Sequence, residues 1–145
     1  MFGLEVVPTE ANRQALLAAV QLDARLAALH AQLERELGCA TGHVVHLHTG
    51  MAAVGETGDR LTRTLTAAGS AIDVVWQLAA NTAQREGAPD DACIVVSRPV
   101  WVAAQRDVQA VVWHELDLTG GARVEIARLD SAHLTGTVQS DPALQ

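Results

Sequence analysis

A long segment with a leucine repeat near the N-terminus constrains the fold of this chain more than any other feature. Its leucines recur at spacings of three and four residues, which places them on one face of an α-helix; they are Leu22, Leu26, Leu29, Leu33 and Leu37. Thr9 is the predicted N-cap, and Glu10 suits the positive end of the helix dipole. Gly38 is typical of the position just beyond a last helical turn. We therefore expect one helix from Thr9 to Leu37.

The middle of the chain reads as a hairpin followed by a second helix. His43–Val54 is a predicted strand, the glycine-rich segment Gly55–Asp59 a turn, and Arg60–Thr66 an alternating second strand. The two strands should pair in antiparallel fashion. A helix is expected to open at Gly69-Ser70. Its predicted buried face consists of Ile72, Val75, Trp76 and Ala79.

The last third of the chain predicts one more strand, a short helix and a closing hairpin. The predicted elements are a strand at Ala92–Val96, a short helix from Ser97 through Ala104, and strands Val108–Leu118 and Ala122–Leu129 around Gly120-Gly121. This order predicts an α+β fold with a mostly antiparallel sheet and helices packed on one face. We expect a single domain over residues 1–135 and a flexible tail over residues 136–145.

Composition narrows the class of protein further. The 145 residues are 49% hydrophobic and 19% charged, which fits one domain with its own core. The net charge is −7 and no basic cluster is present, so nucleic-acid binding is not expected. Cys39 and Cys93 form no C-x-x-C pair, and the sequence has neither a signal peptide nor a membrane-spanning run. A cytoplasmic protein without a membrane segment is the resulting expectation.

Three stretches together resemble one known family. His48-Thr49-Gly50 through Gly55 and Gly58 is similar to a strand-and-turn motif, H-T-G-x-x-x-x-G-x-x-G. Leu65–Leu78 is similar to the pattern Y-T-V-x-G-D-A-V-N-x-A-x-R-L, and Ile94–Ser97 to an I-L-V-S strand. Read in order, they resemble the C-terminal two-thirds of the class III adenylate/guanylate (nucleotidyl) cyclase domain. The resemblance implies a ferredoxin-like, cyclase-type sheet that lacks the family's first strands.

The resemblance also implies where a nucleotide site would lie. The family's transition-state Asn and Arg match Asp73 and Gln77 here, so one position gains a negative charge and the other loses a positive one. Thr66 matches a purine-contacting position and Gly69 the glycine before the helix, which makes them candidate nucleotide-binding residues. Ser70-x-x-Asp73 is also a capping-box pattern, so Asp73 has a structural interpretation as well.

The metal ligands of the family have no counterpart in this match. Its two metal-binding aspartates and its purine-selecting lysine lie upstream of the segment that Phe2-Gly3-Leu4 resembles. We therefore expect no cofactor in this chain, and Mg²⁺ or Mn²⁺ only where a complementing cyclase chain supplies the carboxylates.

Three histidines form a separate candidate metal site. His46 and His48 should share one face of the predicted strand, and His43 is close in sequence. Imidazole nitrogens are common ligands of Zn²⁺ and Cu²⁺, although no further ligand is fixed by local spacing. Partly exposed or hydrogen-bonded histidines are the structural alternative.

Three hypotheses for function follow. The first is a cyclase homology domain in cyclic-nucleotide signalling that is inactive by itself and acts as a dimerisation or regulatory module. The second is a half-site subunit that completes an active site with another cyclase-domain chain. The third is a small α+β metal- or ligand-binding protein unrelated to nucleotides. Because missing strands would leave an apolar face or sheet edge uncovered, we expect a homodimer or larger assembly, or pairing with another cyclase-domain chain, with a nucleotide as a further candidate ligand.

Overall fold

The structure is a computed structural model that describes residues 7–59, 62–84 and 93–129. In chain order its elements are α1 (Pro8–Leu37), β1 (Val44–Leu47), β2 (Ala53–Gly58), β3 (Arg63–Ala68), α2 (Ser70–Gln84), β4 (Cys93–Ser97), α3 (Arg98–Ala103), a 3₁₀ turn (Val108–Ala110), β5 (His114–Asp117) and β6 (Arg123–Leu129). The predicted loop at Ala88–Asp91, the family-like Phe2-Gly3-Leu4 and the predicted tail at 136–145 lie outside the described residues.

The long N-terminal helix is confirmed, with one correction at its start. Val7 is the N-cap and Pro8 occupies the first turn, so the prediction of Thr9 as N-cap was wrong. The first helical turn favours proline, because the fixed φ of proline suits a helix and proline has no N–H that would be left unpaired. Gly38 adopts the left-handed conformation with φ 64°, and its N–H donates to the Glu34 carbonyl. None of the helices in the described ranges is long and apolar enough to cross a membrane.

The strands form two separate sheets. The larger sheet has the order β1-β4-β6-β5, and the smaller one is the ribbon β2-β3. Strand β1 runs parallel to β4, with His46 opposite Val95, whereas the β4–β6, β5–β6 and β2–β3 pairs are antiparallel. The α+β class is therefore confirmed, and the larger sheet is mixed.

Helices cover both faces of the larger sheet, so the prediction of helices on one face was wrong. On one face α1 and α3 pack with alternate strand residues; this cluster includes Leu16, Ile94, Val96, Trp101 and Leu129. On the other face Leu78 of α2 packs against the residues in between, including Val95, Leu116, Val124 and Ile126. The reason lies in β4, where Ile94, Val95 and Val96 are all fully buried, as in strands covered on both sides.

The predicted strand His43–Val54 is two strands in different sheets. Strand β1 ends at Leu47 and the chain returns to strand geometry only at Ala53. His48 Nδ1 lies 2.9 Å from Ser97 Oγ, and Gly50 packs beside Ala71 of α2. The chain therefore leaves β1 beside the end of β4 and continues against the start of α2. The antiparallel hairpin is confirmed for β2 and β3, but strand geometry extends through Gly58, within the segment predicted as a turn.

The buried face predicted for α2 was wrong. Trp76 is 72% exposed, and among residues 70–81 of this helix the buried ones are Ala71 and Leu78. Val74 also packs against the cluster around Leu78. The contact face of α2 is thus rotated by about one residue from the predicted face, because the helix is held by its closely packed N-terminus.

The predicted strand Val108–Leu118 was too long. Its first part is a 3₁₀ turn, held by the indole of Trp113, which donates to the Val108 carbonyl at 2.8 Å. Trp101 donates to the Asp107 carbonyl at the same distance. These two side-chain bonds satisfy backbone carbonyls that a strand would present to a neighbour, so β5 begins only at His114.

Candidate functional site

The candidate site is the junction between the β2–β3 ribbon, α2 and the loop that joins β1 to β2. Strand β3 ends at Ala68 and α2 begins at Ser70, so Gly69 alone separates them. Thr66 lies on the ribbon and is exposed, and its hydroxyl oxygen is 2.8 Å from that of Thr57 in the facing strand. Thr66 therefore lies near the end of β3, just before α2, and its hydroxyl is hydrogen-bonded to that of Thr57.

Gly69 is the tightest point of this junction. Its φ of +141° is a conformation that residues with a side chain rarely adopt. A Cβ at this position would lie 2.8 Å from the Met51 carbonyl oxygen and 3.0 Å from Ala52 Cα. The same Met51 carbonyl accepts the Ala71 N–H at 3.4 Å. The β1–β2 loop therefore packs directly on the first turn of α2, and only glycine fits between them.

Three glycines of the family-like motifs, Gly50, Gly55 and Gly69, do not all lie at the junction. A Cβ on Gly50 would lie 3.2 Å from Ala71 Cβ, so Gly50 and Gly69 both line the loop–helix contact. A Cβ on Gly55 would meet no described atom within 4 Å, because this residue lies along the open ribbon. The structure thus brings two of the three glycines to the junction.

Asp73 and Gln77 lie one turn apart on α2, at the positions that match the family's transition-state pair. Asp73 is exposed in the first helical turn, where a negative charge interacts favourably with the helix dipole. Its N–H donates to the Gly69 carbonyl at 3.2 Å. This environment is consistent with a role for Asp73 at the helix start.

Gln77 connects α2 to the closing hairpin. Its side-chain oxygen accepts the Thr119 N–H at 2.6 Å, across 42 residues of sequence. Its own carbonyl accepts a hydrogen bond from the Asn81 amide at 2.8 Å. Gln77 is half-buried, and its side-chain oxygen accepts a hydrogen bond from the turn between β5 and β6. An arginine at this position would have no acceptor atom in its side chain.

The three candidate metal-binding histidines are not brought together. His43 Nε2 lies 2.9 Å from Asp23 Oδ1 beneath α1. His46 lies within β1, whereas His48 follows the end of the strand and is bonded to Ser97, so the two do not share a face of one strand. Within the described part of the chain, no group of three or more His, Cys, Asp or Glu side chains has the geometry to hold a metal ion.

The distance between His48 Nδ1 and Ser97 Oγ is that of a histidine base and a serine nucleophile in a hydrolase site. Ser97, however, is fully buried. No substrate can reach a hydroxyl without exposed surface, so the pair is a structural link between the β1–β2 loop and the start of α3. Burial lowers the pKa of His48 below its usual value of 6.5. Burial, with a smaller effect of the positive charge on Arg128, also lowers the pKa of His46.

These shifts predict that the protein loses stability as the pH falls. Because the folded pKa values lie below 6.5, the unfolded chain takes up protons first. The stabilisation is complete above about pH 6.5 and declines as the pH falls through the folded values. Both rings are half-buried, so solvent screening limits the effect to less than about 1 kcal/mol per histidine.

Urea unfolding at about pH 8 and about pH 5.5 measures this dependence. The double variant His46→Gln/His48→Gln should flatten it, whereas replacement of the exposed His114 with Gln serves as the control. An unchanged pH dependence in the double variant would show that other groups are responsible.

Sequence reasoning did not identify the open cleft between α3 and the β5–β6 hairpin. Its volume is about 470 Å³; the residues that line it are Arg98, Pro99, Val102, Glu115, Arg123, Val124 and Glu125. Arg98 is paired with Glu125, and Arg123 lies 3.0 Å from Asp117 and 3.6 Å from Glu115. Both arginines are therefore already engaged by carboxylates, which leaves the cleft poorly suited to a phosphate.

Comparison with known proteins does not assign the chain to a family. No family model matches it, and no curated protein matches it significantly.

Proposed function

We propose that this chain is a nucleotidyl-cyclase homology domain that does not catalyse and instead serves as a dimerisation or regulatory module in cyclic-nucleotide signalling. The observation that carries the proposal is the junction around Gly69. A β2–β3 hairpin feeds α2 at Ser70 through a single glycine packed on the loop that contains the His48-Thr49-Gly50 motif. The motifs that resemble the family thus meet in space and not only in order, which supports a ferredoxin-like, cyclase-type relationship.

The chemistry of α2 supports the absence of catalysis. Cyclic-nucleotide formation needs a positively charged hydrogen-bond donor beside the phosphate, where negative charge develops in the transition state. Loss of such a donor costs on the order of 3–4 kcal/mol of transition-state stabilisation. Asp73 adds negative charge at the first of the two positions, and Gln77 is engaged by Thr119 at the second.

The exposed β2–β3 ribbon supports a role in assembly. It is a two-stranded sheet whose residues are exposed except for the half-buried Val54 and Ala67. Two-stranded hairpins are only marginally stable in water by themselves. Leu65 on this ribbon is also exposed, so association would cover an apolar surface.

An enzyme assay tests the proposal directly. The purified chain, incubated with ATP or GTP and Mn²⁺, is expected to form no cyclic nucleotide, and cyclic nucleotide above the background of a heat-denatured sample would contradict the proposal. A second assay adds a cyclase domain that has the two metal aspartates but lacks its own Asn and Arg.

The second assay separates the inactive module from the half-site subunit. We expect no activity from the mixture with the unmodified chain, because neither Asp73 nor Gln77 can stabilise the transferring phosphate. The variant Asp73→Asn/Gln77→Arg is expected to raise product formation if the junction has a cyclase-type geometry. Asp73→Asn alone is the matched control. Activity with the unmodified chain would establish the half-site alternative instead.

A further inference from the structure

The C-terminal half of α1 carries an apolar face that the described fold covers only in part. The helix has 30 residues and is therefore about 45 Å long. Its buried residues are confined to the first half and end at Asp23. Residues 24–37 contain no buried side chain, and these fourteen residues extend about 21 Å along the helix axis.

Four leucines form a continuous seam that begins at Leu22 and runs along this half of α1. The leucine seam consists of Leu22, Leu26, Leu29 and Leu33, at spacings of four, three and four residues. Such alternation is the a/d repeat by which one helix packs against another. Leu22 and Leu29 are each 46% exposed, and Leu26 and Leu33 are half-buried. The pattern therefore fits a second helix with the same repeat.

We propose that the leucine seam is an interface between two copies of this chain, with their α1 helices antiparallel. A two-fold axis between residues 27 and 28 places Leu22 of one copy opposite Leu33 of the second copy. It also places Leu26 opposite Leu29 of the second copy. All four positions of the seam are then filled by leucine from both sides, and the interface is self-complementary as two-fold symmetry requires.

Charge and shape favour the antiparallel arrangement. Glu36 continues the seam seven residues beyond Leu29, so a parallel pair would place the two Glu36 side chains against each other. The antiparallel pair separates them to opposite ends. The first half of α1 is packed on the sheet, so antiparallel helices also place the two folded bodies at opposite ends of the seam.

A charge placed in the seam tests the interface. Sedimentation over about 1 µM to 1 mM protein is expected to show a reversible dimer. Leu29→Lys should weaken it at least about tenfold. Ala28→Lys is the matched control, because it adds the same charge one residue away on the exposed face outside the seam. Circular dichroism establishes that both variants keep their helix content.

Spin labels distinguish the two arrangements. In a Cys39→Ser/Cys93→Ser background, a label at Glu36→Cys should lie about 25 Å from its equivalent in an antiparallel pair. A parallel pair would bring the two labels to roughly one helix diameter, about 10–12 Å. The short distance would overturn the antiparallel arrangement.

Other results would overturn the interface itself. A dimer that dissociates with Leu65→Lys but not with Leu29→Lys would place the contact on the β2–β3 ribbon. A monomer that dimerises only after removal of residues 130–145 would show that this segment of the same chain occupies the seam. A monomer in both forms would refute self-association. None of these results depends on the cyclase assay, so failure here and failure of the proposed function are distinguishable.

Discussion

Replacing His43 with alanine is expected to lower the free energy of unfolding by about 3–5 kcal/mol. The side chains of His43 and Asp23 are 10% and 3% exposed, and His43 Nε2 donates to Asp23 Oδ1 across 2.9 Å. Removal of the ring would leave a carboxylate buried without its partner, which is far more costly than breaking an exposed pair. The midpoint of thermal unfolding should fall by roughly 6–20 °C.

Two further variants isolate the hydrogen-bonded pair from the packing of the ring. His30 contacts His43 edge-to-face at 5.0 Å between ring centroids, so His30→Ala removes an aromatic contact but leaves the pair in place. It should cost about 0.5–1.5 kcal/mol. The double variant Asp23→Ala/His43→Ala should be more stable than the sum of its single variants predicts. Equal losses for His43→Ala and His30→Ala would show that the hydrogen bond from His43 to the buried Asp23 carboxylate contributes little.

The Asp23–His43 pair marks the point at which α1 leaves the rest of the fold. Asp23 is the last buried residue of the helix, and His43 directly precedes β1. Nδ1 of His43 is buried and has no hydrogen-bond partner in the described part of the chain. The pair therefore joins α1 to the residue before β1, while Nδ1 of His43 is left without a hydrogen bond in the described part of the chain. Beyond it the helix has no buried residue, and the contact of His30 with His43 is the ring contact that joins this part of α1 to the rest of the described fold.

Features with local causes were predictable from the sequence. The end of α1 at Gly38 and the start of α2 at Ser70 follow from residues whose backbone preferences act within one turn. The closing turn at Gly120-Gly121 is of the same kind, since both glycines adopt positive φ. Periodicity also gave the correct type for each helix and for most strands.

Features set by distant contacts were not predictable. The segment 43–54 has the composition of one strand, and only the contacts of His48 with Ser97 and of Gly50 with Ala71 divide it. The sequence of α2 has two apolar faces, and the large apolar side chain of Trp76 favoured the prediction of the face that the structure leaves exposed. The structure selects Ala71 and Leu78 because the glycine at position 69 brings the helix start onto the β1–β2 loop.

The candidate site shows the same division. Alignment to the family pattern proposed Thr66, Gly69, Asp73 and Gln77 as site positions, and their role there stays a prediction. It did not predict that the Gln77 side chain would accept the Thr119 N–H, because that bond joins residues from distant parts of the sequence. The separation of His43 from His46 and His48 was equally hidden, since Asp23 lies 20 residues upstream of its partner.

Gly69→Ala is expected to destabilise the protein by at least about 2–3 kcal/mol, even though it adds only one methyl group. The φ of +141° is strained for alanine, and the new Cβ would lie 2.8 Å from the Met51 carbonyl oxygen. That oxygen belongs to the backbone and cannot rotate away, so either the β1–β2 loop or the start of α2 must shift. Such a shift should also lengthen the bond between Gln77 and Thr119. Chemical denaturation measures the first effect, and amide exchange at Thr119 measures the second.

Gly55→Ala is the matched control for this prediction. Gly55 lies in the same motif, but its φ is not positive, and a Cβ there would meet no described atom within 4 Å. Alanine also restricts the unfolded chain, so this variant should be neutral or more stable by up to about 1 kcal/mol. If the two variants behave alike, the close approach at Gly69 does not exist in solution. The junction on which the proposed relationship rests would then be lost, whereas the leucine seam on α1 would be unaffected.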